Sequence, residues 1–309
     1  MMAKTLKFIL RSQIKSSKVI QKSGGFTLIE LLVALLIAFL ILTPLLGFMV
    51  SVLSTDRQEQ AKANSEQEIQ TALNFISRDL QQAVYIYDAD GIEAIKSELR
   101  YPNDDTRSPV LVFWKREFID KVLPANDGTL DDTFVYSLVA YYLIKDTNPS
   151  DTWSNAARIA RWQIKDGVRA ADGTYITSPS AGFVPFTEYF DEADSLKIGM
   201  EKWQKSGTYD TSAAVLIDYV DQSTEDPRPV ATCPDDTWSE ITPADITSAD
   251  ITGFYVCVDS LNTTAQVFIR GNALARIENN VNRITYNANN QTYFPTTSVR
   301  VEGRGFLFR

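Results

Sequence analysis

The run Phe26–Leu53 constrains this chain more than any other part of it. It is apolar over 28 residues and carries one charge, Glu30. As a helix it would be about 42 Å long. That exceeds the ~30 Å hydrocarbon core of a bilayer, so the run can cross one with tilt. A carboxylate near the start of such a span is expensive: roughly 2.5–3.5 kcal/mol at a helix centre and less near an end. Glu30 therefore marks function and needs a partner. Pro44, followed by Gly47, falls mid-span. It removes one backbone donor and predicts a kink or local melting.

The flanks set a direction. Residues 1–25 hold Lys4, Lys7, Arg11, Lys15, Lys18 and Lys22 and no acid. Cations just before a span keep that end in the cytoplasm, so everything after about Ser54 is expected outside it. A removable secretory signal is a poor alternative. Its apolar core is usually roughly 7–15 residues, and the nearest small-residue site, Ala61-Lys62-Ala63, lies beyond Asp56, Arg57 and Glu59. An unprocessed signal-anchor fits the length. It explains neither Glu30, nor Thr27, nor the step Gly24-Gly25.

Charge and residue usage exclude several functions. Residues 26–309 hold 24 basic residues against 39 acidic ones, a net charge of −15. Nucleic acid wants a basic footprint, so no nucleic-acid partner is expected. There is no histidine, which removes the Ser-His-Asp triad and most zinc sites. The two cysteines, Cys233 and Cys257, are too few for a zinc cluster. They suit one disulfide in an oxidising compartment, the alternative being two unpaired thiols. Asp127, Asp131 and Asp132 near Gly128 lack the spacing of a calcium-binding EF-hand loop and read as a solvated turn. No glycine-rich phosphate loop or serine elbow is present. Adjacent acids, Asp104/Asp105 and Asp235/Asp236, also read as solvated. The chain is expected to be no enzyme and to need no metal or cofactor.

The segment Gly25-Phe26-Thr27-Leu28-Ile29-Glu30-Leu31-Leu32-Val33-Ala34 resembles the N-terminal signature of type IV prepilins and type II secretion pseudopilins. The resemblance implies cleavage between Gly25 and Phe26 by a membrane prepilin peptidase, which also N-methylates Phe26. It implies that Glu30 pairs with the terminal amine of a neighbouring subunit during assembly. It further implies other pilin or pseudopilin subunits, an inner-membrane assembly platform and membrane lipid as partners.

Beyond the span, residues 56–87 predict an amphipathic helix. Ile69, Leu73, Ile76, Leu80, Ala83, Val84 and Tyr87 recur at three- and four-residue steps. The stretch Ala72–Ala83 resembles larger minor pilins of the PilW type and J-type pseudopilins. From residue 109 onward the pattern is strand and turn. Strands are expected at Val110–Trp114, Phe134–Lys145, Ala157–Lys165, Ala213–Val220, Gly253–Val258, Ala265–Arg270 and Ser298–Phe308. Asp259–Thr264 reads as a hairpin loop. Acidic turn-rich loops are expected at Tyr101–Ser108, Leu123–Asp132, Asp146–Ser154 and Asp221–Thr247. The segments Gly253–Ser260 and Gln266–Arg276 resemble pseudopilins of cyanobacterial hormogonium polysaccharide secretion.

The expected architecture is α+β and pilin-like: a basic leader (1–25), a transmembrane and assembly helix (26–55), and an extracytoplasmic head (56–309). In the head, a long helix packs on an antiparallel sheet. The expected function is a low-copy filament subunit of a pilus or secretion system at the inner membrane. A membrane-anchored binding module that never polymerises would show the same span without the processing.

Overall fold

The computed structural model describes residues 25–101, 106–125, 128–145, 152–189, 195–223, 233–243 and 253–304. The leader up to Gly24, the pair Asp104/Asp105 and Asp127 lie outside them. The chain divides into two compact units, one ending at Ser54 and one covering Thr55–Arg309.

Helix α1 runs Leu28–Leu80. It continues unbroken through Pro44, so the expected local melting does not occur. Pro44 has no N–H to offer the Leu40 carbonyl. One residue earlier, the Thr43 hydroxyl donates to the Phe39 carbonyl at 2.9 Å.

The helix ends earlier than its periodicity predicts. Three residues after Leu80, strand β1 (Ala83–Ile86) begins. Ala83 and Val84 are thus strand residues, and Tyr87 follows the strand. All are buried, so a run of apolar residues hides the switch from helix to strand. The β-branched and aromatic character of Ala83-Val84-Tyr85-Ile86 favours the strand, and the Gln82 carbonyl accepts from the Arg116 amide at 3.1 Å.

The head holds two antiparallel sheets. The first joins β1 to β2 (Arg107–Pro124), β3 (Leu130–Ile144), β4 (Ala157–Lys165) and β5 (Ala214–Val220), in that spatial order. The second joins β6 (Ser239–Ile241), β7 (Phe254–Asp259), β8 (Thr264–Arg270) and β9 (Thr296–Glu302). Short helices α2 (Ala89–Ile95) and α3 (Leu196–Glu201) pack between connections. The architecture is α+β, a long N-terminal helix with antiparallel sheets.

Strand limits differ from expectation where loops were expected. β2 and β3 run well into the segment 123–132, leaving a short turn. Ladder pairing sets this limit, since Leu123 still pairs with Asp131 and Pro124 with Leu130. β6 lies inside 221–247 because its three residues pair with Val256–Val258 of β7.

One hydrophobic cluster joins α1 to both sheets. Ile69, Leu73, Ile76 and Leu80 form a stripe with at most 1% exposure and meet residues of β1–β5 and β7–β9. Each such side chain contributes about 1.5–3 kcal/mol through its burial. Near the sheet centre, Trp114 packs edge-on against Phe183, Phe186 and Trp203.

Candidate functional site

The junction before α1 is built from few atoms. Residues 25–27 are non-helical and the helix starts at Leu28. Thr27 closes its first turn. Its carbonyl accepts from Glu30 N–H at 3.0 Å and Leu31 N–H at 3.1 Å, and its hydroxyl accepts from Glu30 N–H at 3.3 Å. Thr-x-x-Glu is the spacing of a capping box. Glu30 also places its charge in the first helical turn, where the helix dipole favours an anion. This capping role was missed from the sequence, although the Thr27/Glu30 spacing is visible there.

A Cβ added at Gly25 would meet nothing within 4 Å. The chain itself does not need glycine there, so any requirement for one comes from a molecule that reads the site. Phe26 is 82% exposed. Every residue from Gly25 to Ser54 is exposed, with a mean hydropathy of 2.8 over the most apolar window of the helix. An apolar surface of this extent is covered by lipid or by other protein.

Residues 20–46 match the family model described as the prokaryotic N-terminal methylation motif. The chain carries a type IV pilin-like signal. A pilin-type signal marks a precursor processed by prepilin peptidase and destined for the company of other pilin subunits, and with the long apolar helix it makes the protein membrane-anchored. Searches of curated proteins and of solved structures each returned no match.

Processing at the Gly25–Phe26 bond would leave an ammonium on Phe26, two residues before the helix. The positive end of the helix dipole disfavours a cation there by about 0.3–1 kcal/mol. Glu30, one turn further on, is the only carboxylate between Phe26 and Thr55. The geometry thus couples a newly made amine to a demand for a carboxylate.

The other candidate residues lie in the head. Cys233 and Cys257 form a disulfide. Cys257 is fully buried in β7 beside Trp238, Tyr255 and Phe268, with Cys233 packed against the same cluster. The bridge ties the segment before β6 to the sheet. Removing it through Cys233→Ser/Cys257→Ser should cost about 3 kcal/mol on the chain-entropy account. Urea unfolding of the two proteins, with and without reductant, measures this, and reductant should narrow the gap.

Asp235 is engaged in a local turn, accepting from the Thr237 amide and hydroxyl. Those bonds hold its carboxyl below the usual range. Asp132 accepts from the Lys121 amide at 2.9 Å. Among the described residues, no group of three potential metal ligands comes together.

Proposed function

We propose that this chain is a minor subunit of a type IV pilus-like or secretion filament. It is made with a basic leader, cut between Gly25 and Phe26, and N-methylated on Phe26. Before assembly it spans the inner membrane once, with its leader in the cytoplasm and its head outside. An assembly platform then draws it from the lipid into a filament, where Phe26–Leu53 packs against neighbouring helices. The head works by contact, with no catalytic centre and no cofactor.

The methylation motif, set on an exposed apolar helix with a lone acid, carries this reading. Glu30 rewards insertion beside a subunit whose Phe26 amine can meet it. Removing one member of a buried ion pair costs about 3–5 kcal/mol, enough to enforce register. The acidic head and the oxidised cysteine pair support export.

Mass spectrometry of the mature N-terminus, with and without prepilin peptidase, tests the reading. The expected product begins at methylated Phe26 and depends on the peptidase. An intact Met1, or a cut near Ala63, overturns it. Glu30→Ala should still be cleaved yet be lost from the sheared filament fraction. Normal incorporation of that variant would show that the carboxylate plays no part in assembly.

A further inference from the structure

The distal half of the β2–β3 hairpin extends past its neighbours. β1 pairs with β2 no further than Lys115. β4 pairs with β3 from Ser137 onward. One further bond joins them, from the Asp166 amide to the Tyr136 carbonyl at 2.9 Å. After Asp166 the chain turns away, and Gly167 makes the turn possible. A Cβ there would sit 1.9 Å from the Thr177 carbonyl.

That single bond fixes which backbone groups face the open side. Along a strand, N–H and C=O groups alternate sides with period two. The Tyr136 carbonyl points towards β4, so the amides and carbonyls of Phe134 and Asp132 point the same way. No described strand meets them there. Those of Thr133 and Val135 point into the ladder with β2.

Beside this edge lies a groove of about 430 Å³. Thr133–Tyr136 form one wall, and Gly167–Arg169 with Pro185, Thr187 and Glu188 form the other. The aromatic core runs out along the same face. Tyr136 packs edge-on against Phe186. Next, Phe134 packs against Phe118 at 5.4 Å and carries the Arg116 guanidinium 3.7 Å from its ring centre. Phe118 and Phe134 are about half exposed. A bare two-stranded ribbon is marginally stable in water, and an unguarded edge is a template for another strand.

We infer that the free edge of β3 at Asp132–Phe134 accepts an extended, basic segment of another protein by β-strand addition. Backbone bonds to Asp132 and Phe134 would supply pairing, and the groove would take alternate side chains. Charge selects the partner. Asp120, Asp131, Asp132, Asp166 and Glu188 surround the edge, against Arg116, Lys121 and Arg169. Asp120 and Asp132 already face each other closely enough to raise the Asp120 carboxyl. A second copy paired through this edge would oppose acid to acid. Lysine or arginine in the incoming strand relieves that repulsion.

The test uses the full chain in a non-ionic detergent. The probe is a fluorescein-labelled hexapeptide alternating lysine and valine, read by anisotropy. Phe134→Pro removes the outward N–H and leaves the ladder bonds to β2 in place, as proline is tolerated on an edge. It should weaken binding about tenfold, whereas Phe134→Leu should bind nearly as the native chain does. Thr187→Trp fills the groove from the far wall and should weaken binding by a similar factor, which decides the matter if Phe134→Pro does not fold. A glutamate–valine hexapeptide should bind at least about tenfold more weakly. The inference is overturned by native affinity in Thr187→Trp or in folded Phe134→Pro, by equal binding of the two peptides, or by binding of neither. A dimer of the chain that Phe134→Pro dissolves would equally overturn it, by making a second copy the occupant.

Discussion

Asp79→Ala should lower the stability of the head by about 3–5 kcal/mol, the range for breaking a buried ion pair. Asp79 lies in the last turns of α1 and is 7% exposed. Its carboxylate accepts from Lys115 Nζ at 2.8 Å, Arg161 Nε at 2.6 Å and the Tyr141 hydroxyl at 2.8 Å. Lys115 comes from β2, and Tyr141 and Arg161 come from β3 and β4. One side chain thus fastens the helix to three strands. Deleting it removes the carboxylate that both cations meet directly. For a domain of this size the midpoint should fall by about 10 °C, measurable by thermal melting followed by circular dichroism.

The same site predicts a pH dependence. Burial alone would raise the Asp79 carboxyl. The hydrogen bond and charge of Arg161, followed by those of Lys115, outweigh burial and hold it below its usual value. A carboxyl lowered in the folded state stabilises fully above its unfolded pKa, and the contribution is lost as pH falls through the folded one. The native head should therefore lose this contribution only in acid, below the ordinary carboxylate range. Asp79→Ala lacks it already, so the stability gap should close as pH falls. A gap constant from neutral pH to pH 3 would count against the ion pairs as its source.

This anchor also shows what a single sequence reveals and what it hides. The stripe Ile69, Leu73, Ile76 and Leu80 is legible because helical periodicity is local. Asp79 sits next to that stripe but reads there as one more polar residue. Its partners lie 36, 62 and 82 positions away, and spacing carries no trace of them. The same holds for the helix end. Ala83, Val84 and Tyr87 continue a helical spacing, yet pairing of Ala83–Ile86 with β2 decides their conformation. By contrast, the junction Gly25–Glu30 is legible in its apolar run and lone acid, which are local, although its Thr27/Glu30 capping contact emerges only in the structure. Its outside reader leaves its mark as a glycine that nothing in the chain requires. The distal β2–β3 edge could not be read, since it depends on where β4 stops.

The second large effect is expected where the two sheets meet. Asp221 is fully buried and follows β5, while Arg270 is 3% exposed at the end of β8. Arg270 Nε donates to Asp221 Oδ2 at 2.7 Å. Asp221 Oδ1 accepts from the Ser223 amide and hydroxyl at 3.0 and 2.6 Å, and the Ser223 hydroxyl accepts from Tyr286 N–H at 2.7 Å. The backbones lock in parallel: the Asp221 amide donates to the Arg270 carbonyl at 2.9 Å, and the Arg270 amide to the Gly253 carbonyl at 2.8 Å. The fit leaves no space at Gly253, where a Cβ would lie 1.9 Å from the Asp221 carbonyl.

Asp221→Ala should cost about 3–5 kcal/mol because it removes the carboxylate that meets Arg270 Nε in a buried ion pair. Asp221→Leu with Arg270→Met should cost less than Asp221→Ala alone, since two buried charges then leave together. Chemical denaturation of Asp221→Leu, Arg270→Met and the double variant separates the two costs as a double-mutant cycle. A double variant as unstable as the sum of its singles would show that the pair contributes no coupling. In that case the backbone bonds and the Gly253 contact, rather than the charges, would hold the second sheet against the first.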